Sequence, residues 1–285
     1  MHVGPKAETV QNGGMNMMNF PIHKDEQGRW VHTWVRQSSI KTADMCMERL
    51  RNTIFHLSEE PRNDGAELGT ACHQVVEDII RSKMDGHVHT ESDMYDMFEY
   101  YWEVMSPNVD NWHSYGTVEK ASVNGRTKLK SWYENVYPMI EEPIGVEVDF
   151  NKLLIEDDER VVYLRGTVDL VEPHRLWDWK FPKANYTKDR WQYDRWDVQS
   201  IAYTWALDVP NFRFSVMHNK GWGIMDFTRD DSHTEWLREK VASICRYVET
   251  QTAPWLLGDN GWWCSEKWCP SWAQCKGKKT LEREE

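Results

Sequence analysis

The apolar positions of this chain change period twice along its length, from helical to strand-like and back. From Ser38 a polar pair suited to a helix N-cap leads into IKTADMCMERLRNTIFHL, where Ile40, Ala43, Cys46, Met47 and Leu50 recur at helical spacing. In LGTACHQVVEDIIRSKM, Leu68, Cys72, Val75, Val76 and Ile79 share one face, the stripe of a buried helix, while His73 and Glu77 share another. Helical patterns recur around 91–105 and 127–139, separated by the turn-like Ser106, Pro107 and Asn108. GVEVDFNKLLI and VVYLRGTVDLV, joined by the polar EDDER, then predict two strands, and RLWDWKF predicts a third. Helical spacing returns in WDVQSIAYTWAL, through Val198, Ile201, Ala202 and Trp205, and in HTEWLREKVASICRYV. Helices, strands and helices in that order, without an internal repeat or a dividing linker, predict an α/β or α+β domain whose central sheet is wrapped by helices. Residues 1–36 hold no sustained period and read as an arm, with a short hairpin near Gln27 and Gly28.

Composition narrows the classes. A chain of 285 residues suits one catalytic domain. Lys and Arg total 34 against 46 Asp and Glu, a net charge of -12, so any nucleic-acid surface must be local rather than a general basic coat. No run approaches the roughly 20 apolar residues of a membrane span. The opening MHVGPKAETVQNGG lacks a charged segment followed by an apolar one, so a cytoplasmic setting and no membrane partner are expected. In that compartment six cysteines point to metal or cluster binding rather than to disulfides. The 17 tryptophans suit a core or a base-stacking surface equally.

The first chemical signal is a pair of acids. If GTVDLVEPHRLWDWK is two strands turning at Glu172-Pro173-His174-Arg175, residue 172 pairs with 175 and 169 with 178. Asp169 and Asp178 then oppose each other with Cβ atoms roughly 4.5–5.5 Å apart, which like charges tolerate only with a cation between them. Lys180, two residues beyond Asp178, shares its face. Two carboxylates and an ammonium at one point can bind Mg²⁺ or Mn²⁺, activate water and neutralise a phosphoryl group. A hairpin of solvated charges fits the same spacing, because a turn one residue longer would separate the acids.

Five segments in order break that tie: Gly69-Thr-Ala-Cys-His73, Glu147 in VEVDF, Gly166-Thr-Val-Asp169, Asp178-Trp-Lys180 and Gln199-Ser-Ile-Ala-Tyr203. The set resembles the PD-(D/E)XK nucleases of the RecB-like group across about residues 38–277. The resemblance implies an α/β, restriction-endonuclease-like core with a central mixed sheet flanked by helices. It implies His73, Asp169 and Asp178 as metal ligands, Lys180 as the residue that positions or activates the attacking water, and Gln199 and Tyr203 as supports of the site or DNA contacts. Glu147 matches a recurrent family position without an assigned role. Glu77 is a further candidate ligand, although an i, i+4 His/Glu pair also suits a solvated helix face.

The C-terminus places Cys264, Cys269 and Cys275 in one short segment, WWCSEKWCPSWAQCKG. Four thiolates can hold structural zinc or an iron–sulfur cluster. The segment SSIKTADMCMERLRNTIFH resembles the early-cysteine segment of iron–sulfur RecB-like nucleases, including small CRISPR-associated ones. That likeness implies Cys46 as fourth ligand of a [4Fe–4S] clasp, with zinc as the alternative. The chain departs from the pattern in having four residues between Cys264 and Cys269, where two are usual, and Met47 in place of a proline after the early cysteine. Cys72 and Cys245 fall on apolar faces and read as core.

Between Lys180 and Gln199, FPKANYTKDRWQYDRW interleaves Lys183, Lys188, Arg190 and Arg195 with aromatics including Trp191, a mixture that suits a DNA strand or a surface loop. Arg126, Lys128 and Lys130 read as a solvated helix face. The expectations are an arm over 1–37, a nuclease domain over 38–277 and a charged tail over 278–285. The expected activity is a metal-dependent exonuclease acting on single- or double-stranded DNA ends, in phage or mobile-element recombination, replication or repair and with partner proteins of those processes. A CRISPR-adaptation trimming nuclease and a non-catalytic DNA-end scaffold are the alternatives.

Overall fold

A computed structural model describes residues 21–55, 61–183, 197–250, 264–266, 269, 271, 272 and 275. Its strands are β1 (Ile22–Lys24), β2 (Trp30–His32), β3 (Gly145–Glu156), β4 (Arg160–Glu172), β5 (Arg175–Lys180), β6 (Asn211–His218) and β7 (Gly221–Thr228). The helices are α1 (Gln37–Met45), α2 (Met47–Ile54), α3 (Asp64–Met84), α4 (Glu91–Met105), α5 (Val118–Asn135), α6 (Val198–Leu207) and α7 (Asp231–Thr250).

The strands form one mixed seven-stranded sheet in the order β1-β2-β4-β5-β6-β7, with β3 paired to β4. β4 is the hub. One edge pairs antiparallel with β3 from Val161 to Val171, and the other is shared between β2, parallel at Arg160–Val162, and β5, antiparallel at Leu170–Glu172. The hairpin expected near Gly28 is β1–β2; its turn is closed by Gly28 at φ 79°, a conformation glycine adopts freely. It joins the sheet through β2, so the segment read as an arm contributes two strands from residue 22 onward. β6 and β7 lie outside the predicted strands, and the pattern over 127–139 is in fact α5, which starts earlier at a Thr117 cap, followed by a short 3₁₀ turn at Tyr137–Met139.

Helices cover both faces and make two apolar cores. The first joins Ile40, Leu50, Ile201, Leu237, Val241 and Ile244 of α1, α2, α6 and α7 to Val162, Leu164, Val168 and Leu176 of the sheet. The second joins Leu68, Val75, Phe98, Leu129 and Trp132 of α3, α4 and α5 to Val146, Leu170, Trp177 and Trp179. Strand alternation should keep Val168 and Leu170 on one side, and likewise Val146 and Val148. They divide between the cores instead, and the residues in between are Glu147 and Asp169. Glu147 has φ 50°, the left-handed region that a β-strand residue with a side chain enters only under strain. The sheet therefore turns over at this pair.

The apolar stripe through Cys46 is two helices rather than one. Cys46 is extended (φ -166°, ψ 116°), ends α1 and caps α2, its sulfur accepting from the Arg49 N–H at 3.4 Å. At the other end of the first core, Glu249 of α7 accepts from Arg160 Nε and from His32 Nε2, each at 2.9 Å. Trp34 Nε1 donates to His32 Nδ1, so that nitrogen is bare and the ring is neutral; burial lowers its pKa, against the pull of Glu249. No helix of the described residues is long and apolar enough to cross a membrane.

Candidate metal centre and active site

The β4–β5 ladder has the register expected from the turn, Glu172 with Arg175 and Leu170 with Trp177, and it stops there. The next backbone donor on β5, the Trp179 N–H, is taken by the Asp169 carboxylate at 2.7 Å. An acid thus occupies the place of a ladder rung and the strands part around it. β6 pairs with β5 on its far side from Leu176 to Lys180 and holds the parted strand straight.

Into this fork come side chains from three elements. His73 of α3 places Nδ1 3.5 Å from Asp169 Oδ2, its ring edge-on to Phe181 with centroids 5.5 Å apart. Glu147 arrives from β3 through its left-handed backbone. Among the described residues, His73, Glu147 and Asp169 are the one group of His, Cys, Asp and Glu with ligand atoms all within 4.8 Å of one another. On the other side Asp178 Oδ2 lies 2.5 Å from Lys180 Nζ, and its Oδ1 accepts from Gln199 Nε2. Gln199 Nε2 also lies 3.3 Å from the Tyr203 hydroxyl. Gly166 makes room for that helix: a Cβ there would lie 2.9 Å from the Phe150 ring and 3.2 Å from that of Tyr203. α6 itself is capped by Asp197, whose carboxylate accepts from Ser200 N at 2.7 Å and lies 3.2 Å from Lys41 Nζ.

The electrostatics show a site short of positive charge. Burial, and then Asp178, pushes the Asp169 carboxyl well above the usual range. Glu147 is pushed up to about 7, first by burial and then by Asp169. Burial lowers His73, leaving a neutral imidazole with a lone pair to give. Lys180 is held up: burial lowers it, but Asp178 and Asp169 outweigh that, so it stays cationic. Two crowded carboxyls that resist ionisation beside a neutral imidazole are the donor set of a divalent cation, and these residues fit one.

The crowding has a pH signature. Glu147 holds its proton in the fold up to about 7 but loses it near 4.5 when unfolded, so the native state binds more protons in that window. Metal-free protein is expected to lose stability as pH rises from about 4.5 to 7, by on the order of 2 kcal/mol allowing for partial exposure. Millimolar Mn²⁺ should restore it, more at pH 8 than at pH 5. Thermal unfolding across pH, with and without Mn²⁺, measures this; an equal metal effect at both pH values would count against Glu147 as a ligand.

Of the residues picked from sequence, the structure gathers His73, Glu147, Asp169, Asp178, Lys180, Gln199 and Tyr203. Asp178 stands beside the converging trio rather than within it, occupied by Lys180 and Gln199. Glu77 stands outside the converging group, paired with Arg81 at 2.8 Å and accepting from Gln74 at 3.0 Å, yet near enough for its charge to raise Glu147 further. Lys183 donates to the Ser114 carbonyl, while Lys188, Arg190, Trp191 and Arg195 lie outside the described residues. The solvated-face reading of Lys128 is corrected. Lys128 is fully buried, donating to the Tyr115 hydroxyl at 2.5 Å and the Phe181 carbonyl at 3.0 Å, and burial lowers its pKa to about 8. It thereby fastens the chain one residue past Lys180. The missed signal was its place on the stripe Ala121, Gly125, Lys128, Leu129 and Trp132.

Residues 37–276 match the PD-(D/E)XK nuclease superfamily. Among solved structures, a candidate exonuclease from Eubacterium rectale is 12% identical, with 78% of this chain and 83% of that one aligned at a TM-score of 0.48. An alkaline exonuclease from Laribacter hongkongensis is 10% identical, with 54% of this chain and 81% of that one aligned at a TM-score of 0.31. No curated protein matches the chain.

Proposed function

The chain belongs to the PD-(D/E)XK nuclease superfamily, and from that premise we propose that it is a deoxyribonuclease that hydrolyses DNA from an end at the fork between β4 and β5. One observation carries the assignment of the site: His73, Glu147 and Asp169 converge within 4.8 Å directly beside the Asp178–Lys180 pair.

In this reading His73, Glu147 and Asp169 hold Mg²⁺ or Mn²⁺, with Asp178 alongside. A bound divalent ion lowers the pKa of a coordinated water and withdraws charge from phosphoryl oxygens. Lys180, kept cationic by its acidic neighbours, orients the attacking water and faces the charge growing on the phosphate. Gln199 fixes the Asp178 carboxylate, and Tyr203 fixes Gln199, so both act by positioning. Lys128 steadies the exit of β5 that carries Lys180 and the Phe181 ring packed on His73.

The nuclease domain spans residues 38–277, closed by a [4Fe–4S] clasp on Cys46, Cys264, Cys269 and Cys275. Support comes from the thiols themselves. Burial raises Cys46, Cys264 and Cys269, and charge on the neighbouring cysteines, Cys275 among them, raises each further, as expected of thiols gathered at one place. Cys72 and Cys245 are buried elsewhere, in the second and first cores.

The test is digestion of end-labelled linear single- and double-stranded DNA and of closed circles, with Mg²⁺ or Mn²⁺. Loss of linear substrates with circles spared is the expected result. Cutting of circles would replace an exonuclease with an endonuclease, and no cutting of any substrate would overturn the reading.

A further inference from the structure

The surface that leads to the carboxylates is exposed along β3 and half-buried along β4. Val162, Leu164 and Val168 of β4 turn into the first core, so alternation sends Tyr163, Arg165 and Thr167 to the opposite face, which runs up to the break in alternation at Asp169. Their partners across β3 are Leu153, Asn151 and Asp149, all exposed. The pairs 153/163, 151/165 and 149/167 therefore form a ramp whose next step is Glu147 and Asp169.

On that ramp sits a charge without a counter-charge. Arg165 Nε is buried and, among the described residues, has no hydrogen-bond partner. The Arg165 N–H donates to the Val35 carbonyl at 3.0 Å, which sets the exposed Arg36 beside it at the start of α1. Burial, and then Arg36, lowers the Arg165 pKa. The one acid nearby on the ramp, Asp149, is engaged by the Thr167 hydroxyl at 2.6 Å. Two adjacent guanidinium groups that no carboxylate neutralises among the described residues are a site for an anion. Arg165 stands four residues from Asp169, about 13 Å along a strand. A stacked DNA strand covers that distance in roughly four nucleotides and an extended one in fewer.

We propose that Arg165 and Arg36 bind a backbone phosphate of the strand being cut, a few nucleotides from the scissile bond, with the β3–β4 face as its track. The proposal rests on the nuclease reading for its ligand. The planar guanidinium fork matches two phosphate oxygens, and the contact carries no base information, so it positions the strand without selecting sequence.

The test measures binding of a fluorescent oligothymidylate by anisotropy, in EDTA so that nothing is cut, over a series of salt concentrations. Arg165→Gln is expected to weaken binding roughly tenfold at low salt. It should also reduce the slope of log K against log salt by about 0.7, the share of one phosphate contact on a single strand. Arg165→Lys should keep the slope and lose part of the affinity, because a point charge replaces a fork. In Mg²⁺ the Gln variant should cut with raised KM and retained kcat. Arg36→Gln, at an exposed position, gives the same reading should Arg165→Gln fold poorly. Unchanged affinity and slope in both Gln variants would overturn the proposal, as would weaker binding at an unchanged slope. Wild-type protein that binds with the expected slope but never cuts would overturn the nuclease reading and leave the phosphate site standing.

Discussion

Asp178→Asn is expected to lower DNA cleavage at least about a thousandfold while leaving the protein folded. Asparagine keeps the shape and can still accept from Gln199, so α6 and β5 should stay in place. What it removes is charge. Lys180 owes its raised pKa first to Asp178, and without that neighbour burial pulls the ammonium down in the fork. Asp169 meanwhile loses the like charge that, after burial, most suppresses its ionisation. The unfolding midpoint is therefore expected to hold or rise by a few degrees as activity disappears, the pattern of a site that stores repulsion for function. Cleavage assays and thermal unfolding on the same preparation measure both. Undiminished cleavage would remove Asp178 from the active site, and a collapsed midpoint would make the loss of activity structural.

The second large effect is expected at Cys46. Cys46→Ala should abolish iron and sulfide in anaerobically purified protein and lower stability by several kcal/mol, because a cluster that joins residue 46 to residues 264–275 closes most of the chain and binds only the folded state. Cys72→Ala supplies the control: this thiol is buried in the second core, its pKa pushed up to about 12 by burial, and its loss should leave the iron content unchanged. Zinc in place of iron would correct the cluster assignment, and full iron in the Cys46 variant would remove that residue from the clasp.

Much of this architecture is legible in the sequence where one physical rule acts alone. β3, β4 and β5 follow from β-branched and aromatic runs bounded by turn residues, and the turn at Pro173 carries the register as far as Leu170 and Trp177, one step short of the two acids, where the strands part. What escaped depends on contacts distant in the chain. β6 is an exception, since its Phe212, Phe214 and Val216, all in the first core, alternate with Asn211, Arg213 and Ser215 and carry a strand period in the sequence itself. The break at Cys46 leaves the helical stripe intact, since Ile40 and Leu50 reach the same core from either side of it. Glu147 could be matched as a recurrent position but not placed at the metal, because its reach comes from a backbone angle that residue types do not announce. Lys128 shows the opposite failure: its charge hid its position on an apolar stripe.

The inversion at Glu147 and Asp169 has a consequence for how the domain comes apart. The two apolar cores share no residue, so each can behave as its own cooperative unit of opening. α3 belongs to the second core, whereas Glu147 and Asp169 stand on the line between the two, so a cation held by His73 and these acids would be a keystone across that line. Bound, it would hold α3 against β3 and β4; stripped, α3 and the helices packed with it are expected to lift from the sheet the two cores share more readily than the first core opens.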